Sequence, residues 1–402
     1  MSAELIARRM KRVRPSPTAV ISDIVRAMQQ NGIDIINLGE GELDFDTPQP
    51  IKQAGIDAIE RGDTKYTAVS GTEALKRAII GKFQRENGLV FQPEEIIAGC
   101  GAKQLIFNAF LATISPGDEV IVPAPYWVSY PDMVALAEGE PRIVPCSEQS
   151  GWKLQVADLA AAITPRTRWL ILNSPNNPTG AVYSREELQA LAKVLLDSPQ
   201  VMILSDDIYE HMRHDAEPFV TLAQIEPRLR DRTLTVNGLS KGYSMTGWRI
   251  GYAGGPAWLI SAMQILQSQS TSNPSSISQA AAVEALTTPA VFHADWLRRL
   301  AARRAVVMSM IAGVPGLGAE LPPGAFYVFA NCRGMLGKRT PQGKTIDSDS
   351  DFAAYLVENA HVATLQGSAF GASPYIRIAY AIDDDRLHEA CARIKNACLA
   401  LR

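Results

Sequence analysis

The residues of this 402-residue chain best suited to chemistry lie in TVNGLSKGYSMTGWRIGY (235–252), where Lys241 follows an apolar run and Arg249 stands eight residues on. An amine can attack a carbonyl carbon to form a Schiff base, and a guanidinium is a fixed positive charge for a phosphate or carboxylate. A lone lysine would be ordinary surface charge, but the glycines and small residues here let a loop carry Lys241 and Arg249 to one ligand. Asp206 closes another apolar run, VMILSD (201–206), with Asp207 beside it and Tyr209 three residues later. SPNNPTG (174–180) reads as a turn after a strand. GCGAKQ (99–104) opens a helical pattern, so the N–H groups of Gly101, Ala102 and Lys103 sit where a helix start can bind phosphate, a weak signal by itself. Arg377 lies inside YIRIAYA (375–381), an expensive place for a charge unless a bound carboxylate or an internal salt bridge accompanies it.

These residues depend on a series of short Val- and Ile-rich runs between about residues 95 and 255: EVIVPA (119–124), RIVPC (142–146), RWLILN (168–173), VMILSD, TLTVNG (233–238) and RIGYAG (249–254). They are apolar almost throughout, as central strands of a parallel sheet covered on both faces must be. Helical patterns separate them at Lys103–Thr113, Tyr126–Glu138, Val156–Ile163 and Arg185–Leu196, the last with Ser184 as N-cap. Right-handed crossovers gather the ligand of such a sheet at the carboxyl ends of its strands, where Asp206 and Lys241 fall. Beyond Pro256, helices are expected at Trp258–Ser268, Ser278–Leu286 and around Trp296–Ile311, whose stripe of Arg298, Arg299, Arg303 and Arg304 reads as a solvated face. Strands near Ala325–Ala330 and Tyr375–Tyr380 and a helix from Asp383 to Leu399, capped by Asp383, form a second α+β region. The first ~50 residues are too few for a core of their own and are expected to join that region. The expected division is therefore an N-terminal arm and part of the small domain at 1–50, a large domain at 51–295, and the rest of the small domain at 296–402. Residues 337–351, polar and glycine-containing, read as an exposed loop.

Composition excludes several classes. With 47% hydrophobic and 20% charged residues the chain has the make-up of a folded globular protein, long enough for two or three domains at ~100–200 residues each. Lys+Arg 39 against Asp+Glu 42 gives a net charge of −3, so no overall excess draws it to nucleic acid or an anionic membrane. Cys100, Cys146, Cys332, Cys391 and Cys398 are odd in number, scattered and never in a CxxC pair, which suggests neither a disulfide framework nor a metal site and fits a reducing cytoplasm. The start lacks the apolar run of a signal peptide, and no window nears the ~20 apolar residues of a membrane span. A soluble, cytoplasmic protein is expected.

From about Arg14 onward the chain resembles the pyridoxal-phosphate-dependent aminotransferases of fold type I, class I, and among them the bacterial aspartate aminotransferases. PGDEVIVPAPYWVSYPDM, SPNNPTGAVYS, DDIYEH, SKGYSMTGWRIGY and GAFYVF look like that family's blocks, in its order. The resemblance implies an α/β large domain with a mostly parallel central sheet covered by helices, a smaller α+β domain from both chain ends, and a homodimer with shared active sites. It implies pyridoxal 5'-phosphate, no metal, and Lys241 as the amine that holds the cofactor and then moves a proton at the substrate Cα. In the family the first acid of the pair faces the pyridine nitrogen, which here is Asp206 rather than Asp207, and its charge keeps the ring an electron sink. Tyr209 and Asn177 would reach the ring hydroxyl oxygen and Asn177 also the substrate α-carboxylate, with Asn176 a turn residue. Gly101, Ala102, Lys103 and Arg249 would serve the phosphate, and Tyr66 of KYTAVSG resembles the tyrosine that reaches the phosphate of the neighbouring subunit. Trp127 would stack on the ring, Arg377 would grip the α-carboxylate, and Gly41 in LGEGELDFDTP would let the backbone approach it. Core packing is the alternative for Trp127 and a buried structural role for Tyr209.

Three departures from the family pattern bear on the ligands. Glu40 stands where relatives carry alanine and adds an acid beside the carboxylate site, unless Lys103 pairs with it. Ser268 stands where an arginine of animal-type relatives grips a distal carboxylate, which leaves Lys103 as the candidate grip. Gly238 replaces a serine that many relatives use on the phosphate. The expected function is transfer of the amino group of an L-amino acid, aspartate first, to a 2-oxo acid such as 2-oxoglutarate by a ping-pong mechanism. Aromatic or other amino acids, and a pyridoxal-phosphate-dependent lyase on the same fold, are the alternatives; a ligand sensor fused to a DNA-binding domain would need length that the family pattern already occupies.

Overall fold

Successive residues of a strand face opposite sides of its sheet, so a run that is apolar at every position has to be covered twice. The computed structural model, which describes residues 5–215 and 217–402, shows that arrangement. After β1 (Ile36–Asn37), seven strands form one sheet: β2 (Ile96–Gly99), β3 (Glu119–Ala124), β4 (Glu140–Pro145), β5 (Thr167–Asn173), β6 (Met202–Asp206), β7 (Thr233–Gly238) and β8 (Gly251–Gly254), in the order β2-β8-β7-β6-β5-β3-β4. Val120, Val122, Trp169, Ile171 and Leu204 pack on one face with Leu105 and Ile106 of the helix Ala102–Thr113. Ile121, Leu170, Leu172 and Ile203 pack on the other with Leu188 and Leu191 of the helix Arg185–Leu196. Ser184 caps that helix as expected, accepting from Glu187 N–H while the Glu187 carboxylate reaches back to Ser184 N–H.

The sheet is parallel from β7 to β4, but β8 runs antiparallel to both β7 and β2. RIGYAG was expected as one more parallel strand. The loop 239–250 holds only turns and a short 3₁₀ segment at Thr246–Trp248, not the helix through which a parallel return passes, and an apolar run looks the same in either direction. The short β2 and the helices Gln49–Glu60 and Glu73–Asn87 were not expected at all. The reversal of β8 matters for function, because it brings the start of that strand to the edge where β2, β5, β6 and β7 end.

A second group of strands follows: β9 (Tyr327–Asn331), β10 (Val362–Ala363), β11 (Leu365–Gln366) and β12 (Tyr375–Ala379). β11, β12 and β9 form an antiparallel sheet, and β1 pairs with β10. Ile36, Leu38, Leu43 and Phe45 share a core with Leu300, Phe326, Phe352, Ile376 and Ile394, so both chain ends contribute to it. Residues 1–4 of the expected N-terminal arm lie outside the described residues. The helices Gln49–Glu60 and His293–Ala312 run across the boundaries expected at 50/51 and 295/296, so neither boundary falls in a loop. Among the described residues no helix is long and apolar enough to cross a membrane.

Two surface expectations are corrected. Arg298 and Arg299 are solvated, but Arg303 is 2% exposed, donating to Asp44 at 2.6 and 2.8 Å and to Asp384, and Arg304 donates to the Pro322 carbonyl. Helical spacing shows the stripe but not the acids that fold over it from both chain ends. Residues 337–351 are likewise more than an exposed loop: Ile346 is buried, Arg339 bridges to Thr345, and Ser348 caps a helix, Asp349–Tyr355.

Removing one partner of a buried ion pair leaves the other charge unmatched. Arg303→Met is expected to cost about 2–4 kcal/mol, and Arg298→Ala, whose side chain is 73% exposed, less than about 1 kcal/mol. Urea denaturation of both variants checks this; equal costs would contradict it.

Candidate active site

β6 ends at Asp206 and β7 at Gly238, side by side and parallel, so the acid and the lysine loop leave the sheet at one edge. A cavity of about 330 Å³ opens there, lined by Gly41, Ala102, Lys103, Trp127, Asn177, Asp206, Tyr209, Lys241, Arg249 and Arg377. Of the other expected site residues, Gly101 stands directly behind the lining against Arg249, and Tyr66 is 91% exposed and outside it.

The charged groups of the cavity are held mainly by neutral partners. The Lys241 amine donates to the Gly41 carbonyl. Its enclosure by protein brings it down to about 8, with Glu42 and Glu40 opposing and Arg377 and Arg249 adding to the effect. A lysine in that range keeps a neutral, nucleophilic fraction near neutral pH. Asp206 accepts from the Tyr130 hydroxyl at 2.6 Å, and burial raises its carboxyl to about 6. Asp207 takes the Ser205 hydroxyl at 2.8 Å and does not line the cavity, so the two neighbouring acids point to different places. The Tyr209 and Tyr327 hydroxyls share a hydrogen bond of 2.7 Å.

Arg377 is 1% exposed. It donates to Asn177 Oδ1 at 2.9 Å and to the Gly39 carbonyl at 2.6 Å, lies over the rings of Tyr327 and Phe370, and leaves its buried Nε without a partner among the described residues. Its partners there are neutral, and the internal ion pair weighed in the sequence is not what holds it. Asn177 is itself fixed by Asn173, whose Oδ1 accepts its N–H at 2.9 Å, and Asn176 accepts from Thr179 within the turn.

At the other side the helix Ala102–Thr113 begins beside Arg249. Gly101 has φ +88°, and a Cβ there would collide with the Arg249 guanidinium, so both backbone and space call for glycine. Arg249 is tied to the carbonyls of Thr246 and Cys100 at 2.9 and 3.1 Å. Lys103 sits at the open mouth, its ammonium 4.8 Å over the Trp127 ring; desolvation by the protein around it and then the Arg249 charge lower its value. Trp127 stands edge-on to Tyr130 at 5.3 Å. Glu40 does not pair with Lys103: it accepts from Asn37 Nδ2 at 3.1 Å and lines the cavity rim. Ser268 lies elsewhere, exposed, donating to the Ile265 carbonyl.

Several lining residues were not expected: Thr18, Glu42, Tyr130, Asn173, Ser240, Thr246 and Tyr327. Asn173 is the last residue of β5, and Tyr130 and Tyr327 lie inside recognised blocks, so strand-end position and block membership signalled them. Thr18 has no local signal. Pyridoxal phosphate requires an amine for its aldehyde, an acid for its ring nitrogen and donors for its phosphate. Lys241, Asp206 and the helix start beside Arg249 supply those three chemistries around one cavity, and the residues fit the group.

Residues 33–394 match the model of the family described as Aminotransferase class I and II, and the chain belongs to that family. It is a pyridoxal-phosphate-dependent transaminase of fold type I, as the sequence blocks implied. It is 54% identical over 392 residues to the aspartate/prephenate aminotransferase of Cereibacter sphaeroides, covering 98% of each chain. The crystal structure of the aspartate aminotransferase from Rhizobium meliloti superposes with a TM-score of 0.95 at 53% identity and 99% coverage of both chains. The structure of the Thermus thermophilus aspartate aminotransferase with maleate does so at 0.90 and 39% identity, covering 98% of this chain and 99% of that one.

The Lys241 value carries a sign that stability measurements can read. Its folded value lies below the unfolded one of 10.5, so the unfolded chain binds the extra proton between pH 8 and 10.5, and stability rises with pH across that window. In cofactor-free protein, Lys241→Met should therefore raise the melting temperature at pH 7, and its advantage over the wild type should shrink towards pH 10. A constant or growing advantage would contradict the depressed value.

Proposed function

We propose that the protein moves the amino group of L-aspartate to a 2-oxo acid such as 2-oxoglutarate by a ping-pong mechanism, as a homodimer in the cytoplasm. The observation that carries this reading is Arg377, a buried guanidinium with neutral acceptors and an unpartnered Nε at the cavity wall, complementary to a substrate α-carboxylate. Aspartate is favoured by the names of the relatives and by maleate, the dicarboxylate that accompanies the Thermus enzyme in its structure. Lys103, with no carboxylate bonded to it among the described residues, is the cation that would meet the distal carboxylate. The Cereibacter relative's name makes prephenate a second oxo acid to test. Free cysteines suit a reducing compartment, and Tyr66, exposed on a single chain, is available to a partner's site.

When bound, pyridoxal phosphate receives the amino group through its aldehyde and delocalises the negative charge left at Cα. Lys241 would bind the cofactor through its amine and, once released, take and return the proton at Cα. Asp206, held by Tyr130, would keep a proton on the pyridine nitrogen. Tyr209 and Asn177 would donate to the ring hydroxyl oxygen. The N–H groups of Ala102 and Lys103, with Arg249, would hold the phosphate, and Trp127 would lie against the ring; the Gly101 N–H, expected to join them, is already given to the Gly99 carbonyl at 2.8 Å. Gly41 lets the backbone approach the substrate carboxylate that Arg377 holds.

Screening the common amino acids with 2-oxoglutarate tests the reading: glutamate should form only when both partners are present, and fastest with aspartate. Product without an oxo acid would indicate a lyase, and a better donor than aspartate would overturn the substrate. Lys241→Ala should lower turnover by more than about 10³-fold while the variant still binds the cofactor. Lys103→Ala should lower kcat/KM for aspartate about fivefold and leave phenylalanine within about twofold, and Glu40→Ala should shift the ratio the other way. An unchanged donor ranking in both variants would remove Lys103 and Glu40 from substrate selection.

A further inference from the structure

Behind the lysine loop, on the side away from the cavity, two imidazoles stack: His211 and His293, with ring centroids 4.5 Å apart. His293 Nε2 lies 2.6 Å from the carbonyl oxygen of Gly242, the residue that follows Lys241. A carbonyl only accepts, so Nε2 carries the hydrogen and donates. A Cβ on Gly242 would stand 2.6 Å from His211 Nδ1, so the loop is pressed against the pair as closely as a backbone can be. His211 is anchored in turn, its Nε2 3.0 Å from the Glu86 carboxylate. It also follows Glu210, a buried acid that accepts from Lys82, from Asn87 at 2.8 Å and from Asn237 at 2.7 Å. Asn237 belongs to β7, the strand that leads to Lys241. Glu86, Glu210 and His211 converge closely enough to suggest a metal, but the Lys82 ammonium already bonds Glu210 and lies 3.6 Å from Glu86, and a second cation there would be repelled.

We propose that His293 is a positioning residue for Lys241, its Nε2–H holding the Gly242 carbonyl and thereby fixing the backbone from which the lysine side chain enters the cavity. Inside the cavity the amine has a hydrogen bond to the Gly41 carbonyl, so a shift of the peptide behind it would let the amine swing into water. The groups that face His293 are His211, Tyr243, Glu86 and Glu210. Burial, with the neighbouring His211, keeps His293 down at about 4, so the ring stays neutral and keeps one donor through the working range. The inference rests on Lys241 being the reactive amine.

His293→Phe keeps a flat ring and removes the donor, whereas His293→Gln keeps an amide N–H of similar reach. The measurement is competitive acetylation of Lys241 across pH in cofactor-free protein, read by peptide mass spectrometry against an exposed lysine. In the wild type the titration should centre near 8. In His293→Phe, hydration of the loosened amine should move the midpoint up by about one pH unit, a tenfold smaller neutral fraction at neutral pH, and in His293→Gln it should stay. An unmoved midpoint in the Phe variant, or an equal shift in both, would overturn the proposal. Should the Phe variant fail to fold, ¹⁵N spectra of the wild type, with five histidines to assign, decide it: His293 must be the Nε2–H tautomer, and Nδ1–H would overturn the role. A shifted midpoint in a protein without transaminase activity would defeat the proposed function and leave the positioning intact; full activity with an unmoved midpoint would do the reverse.

Discussion

Charge removed from water without a counter-charge is among the costliest things a fold can hold, several kcal/mol per ion even after relaxation. This protein treats its buried ions in two ways. Arg303 meets Asp44 and Asp384, and Lys82 meets Glu210, so those charges are matched within the chain and hold segments together. Arg377, Asp206 and Lys241 are instead held by a side-chain amide, a phenol and backbone carbonyls. Each is oriented and none is neutralised. Such groups retain most of their field for a ligand, and all of them line one cavity.

Keeping those groups apart from one another while aiming them at one place falls to the sheet edge and to the segment from Gly39 to Thr47. Arg377 donates to the Gly39 carbonyl and Lys241 to that of Gly41. Further on, Thr246 donates to Glu42, Ser244 to the Phe45 carbonyl, and Thr47 to the Ser244 carbonyl at 2.7 Å. Asp44, within the same segment, pairs with Arg303 of the helix His293–Ala312. One strap thus joins the lysine loop on the large sheet to the core built from both chain ends, and the relative position of Lys241 and Arg377 depends on it.

Much of this was legible in the sequence, for identifiable reasons. Asp206 and Lys241 end or follow apolar runs, and the rule that parallel sheets gather ligands at their carboxyl edges places them before any coordinates do. The family blocks then separate Asp206 from Asp207, which composition alone leaves equivalent. The direction of β8 was not legible, since hydrophobic content is blind to direction and the loop before it is long enough for either return. Arg303 was misread because a helical stripe carries no information about Asp44, 259 residues away. Thr18 reaches the cavity only because the N-terminal helix Pro17–Gln30 packs near β11, a contact written in tertiary structure and not in local pattern. His293 falls between the two helices read from the sequence, and its partner is a backbone carbonyl that any sequence would offer.

The cavity itself is uneven, and that bears on what it can distinguish. Asp206, Tyr209 and Arg377 form a closed end from which water is largely excluded, whereas Glu40, Lys103 and Arg249 stand at an exposed mouth. The cations Lys103, Lys241, Arg249 and Arg377 against the acids Glu40, Glu42 and Asp206 give 4 − 3 = +1, a surplus that a bound phosphate ester of about −2 charge offsets. Net charge therefore cannot select a dicarboxylate; position has to. An α-carboxylate at Arg377 would be met in a low-dielectric setting where one ionic hydrogen bond counts fully, but a distal carboxylate at Lys103 would be met in water, where an exposed pair contributes about 0–1 kcal/mol. A second copy laid over the mouth would displace that water and strengthen both Lys103 and the opposing Glu40. If the proposed function holds, the carboxylate common to all amino acids would be recognised at the closed end by Arg377, and discrimination among their side chains would fall to the groups at the mouth.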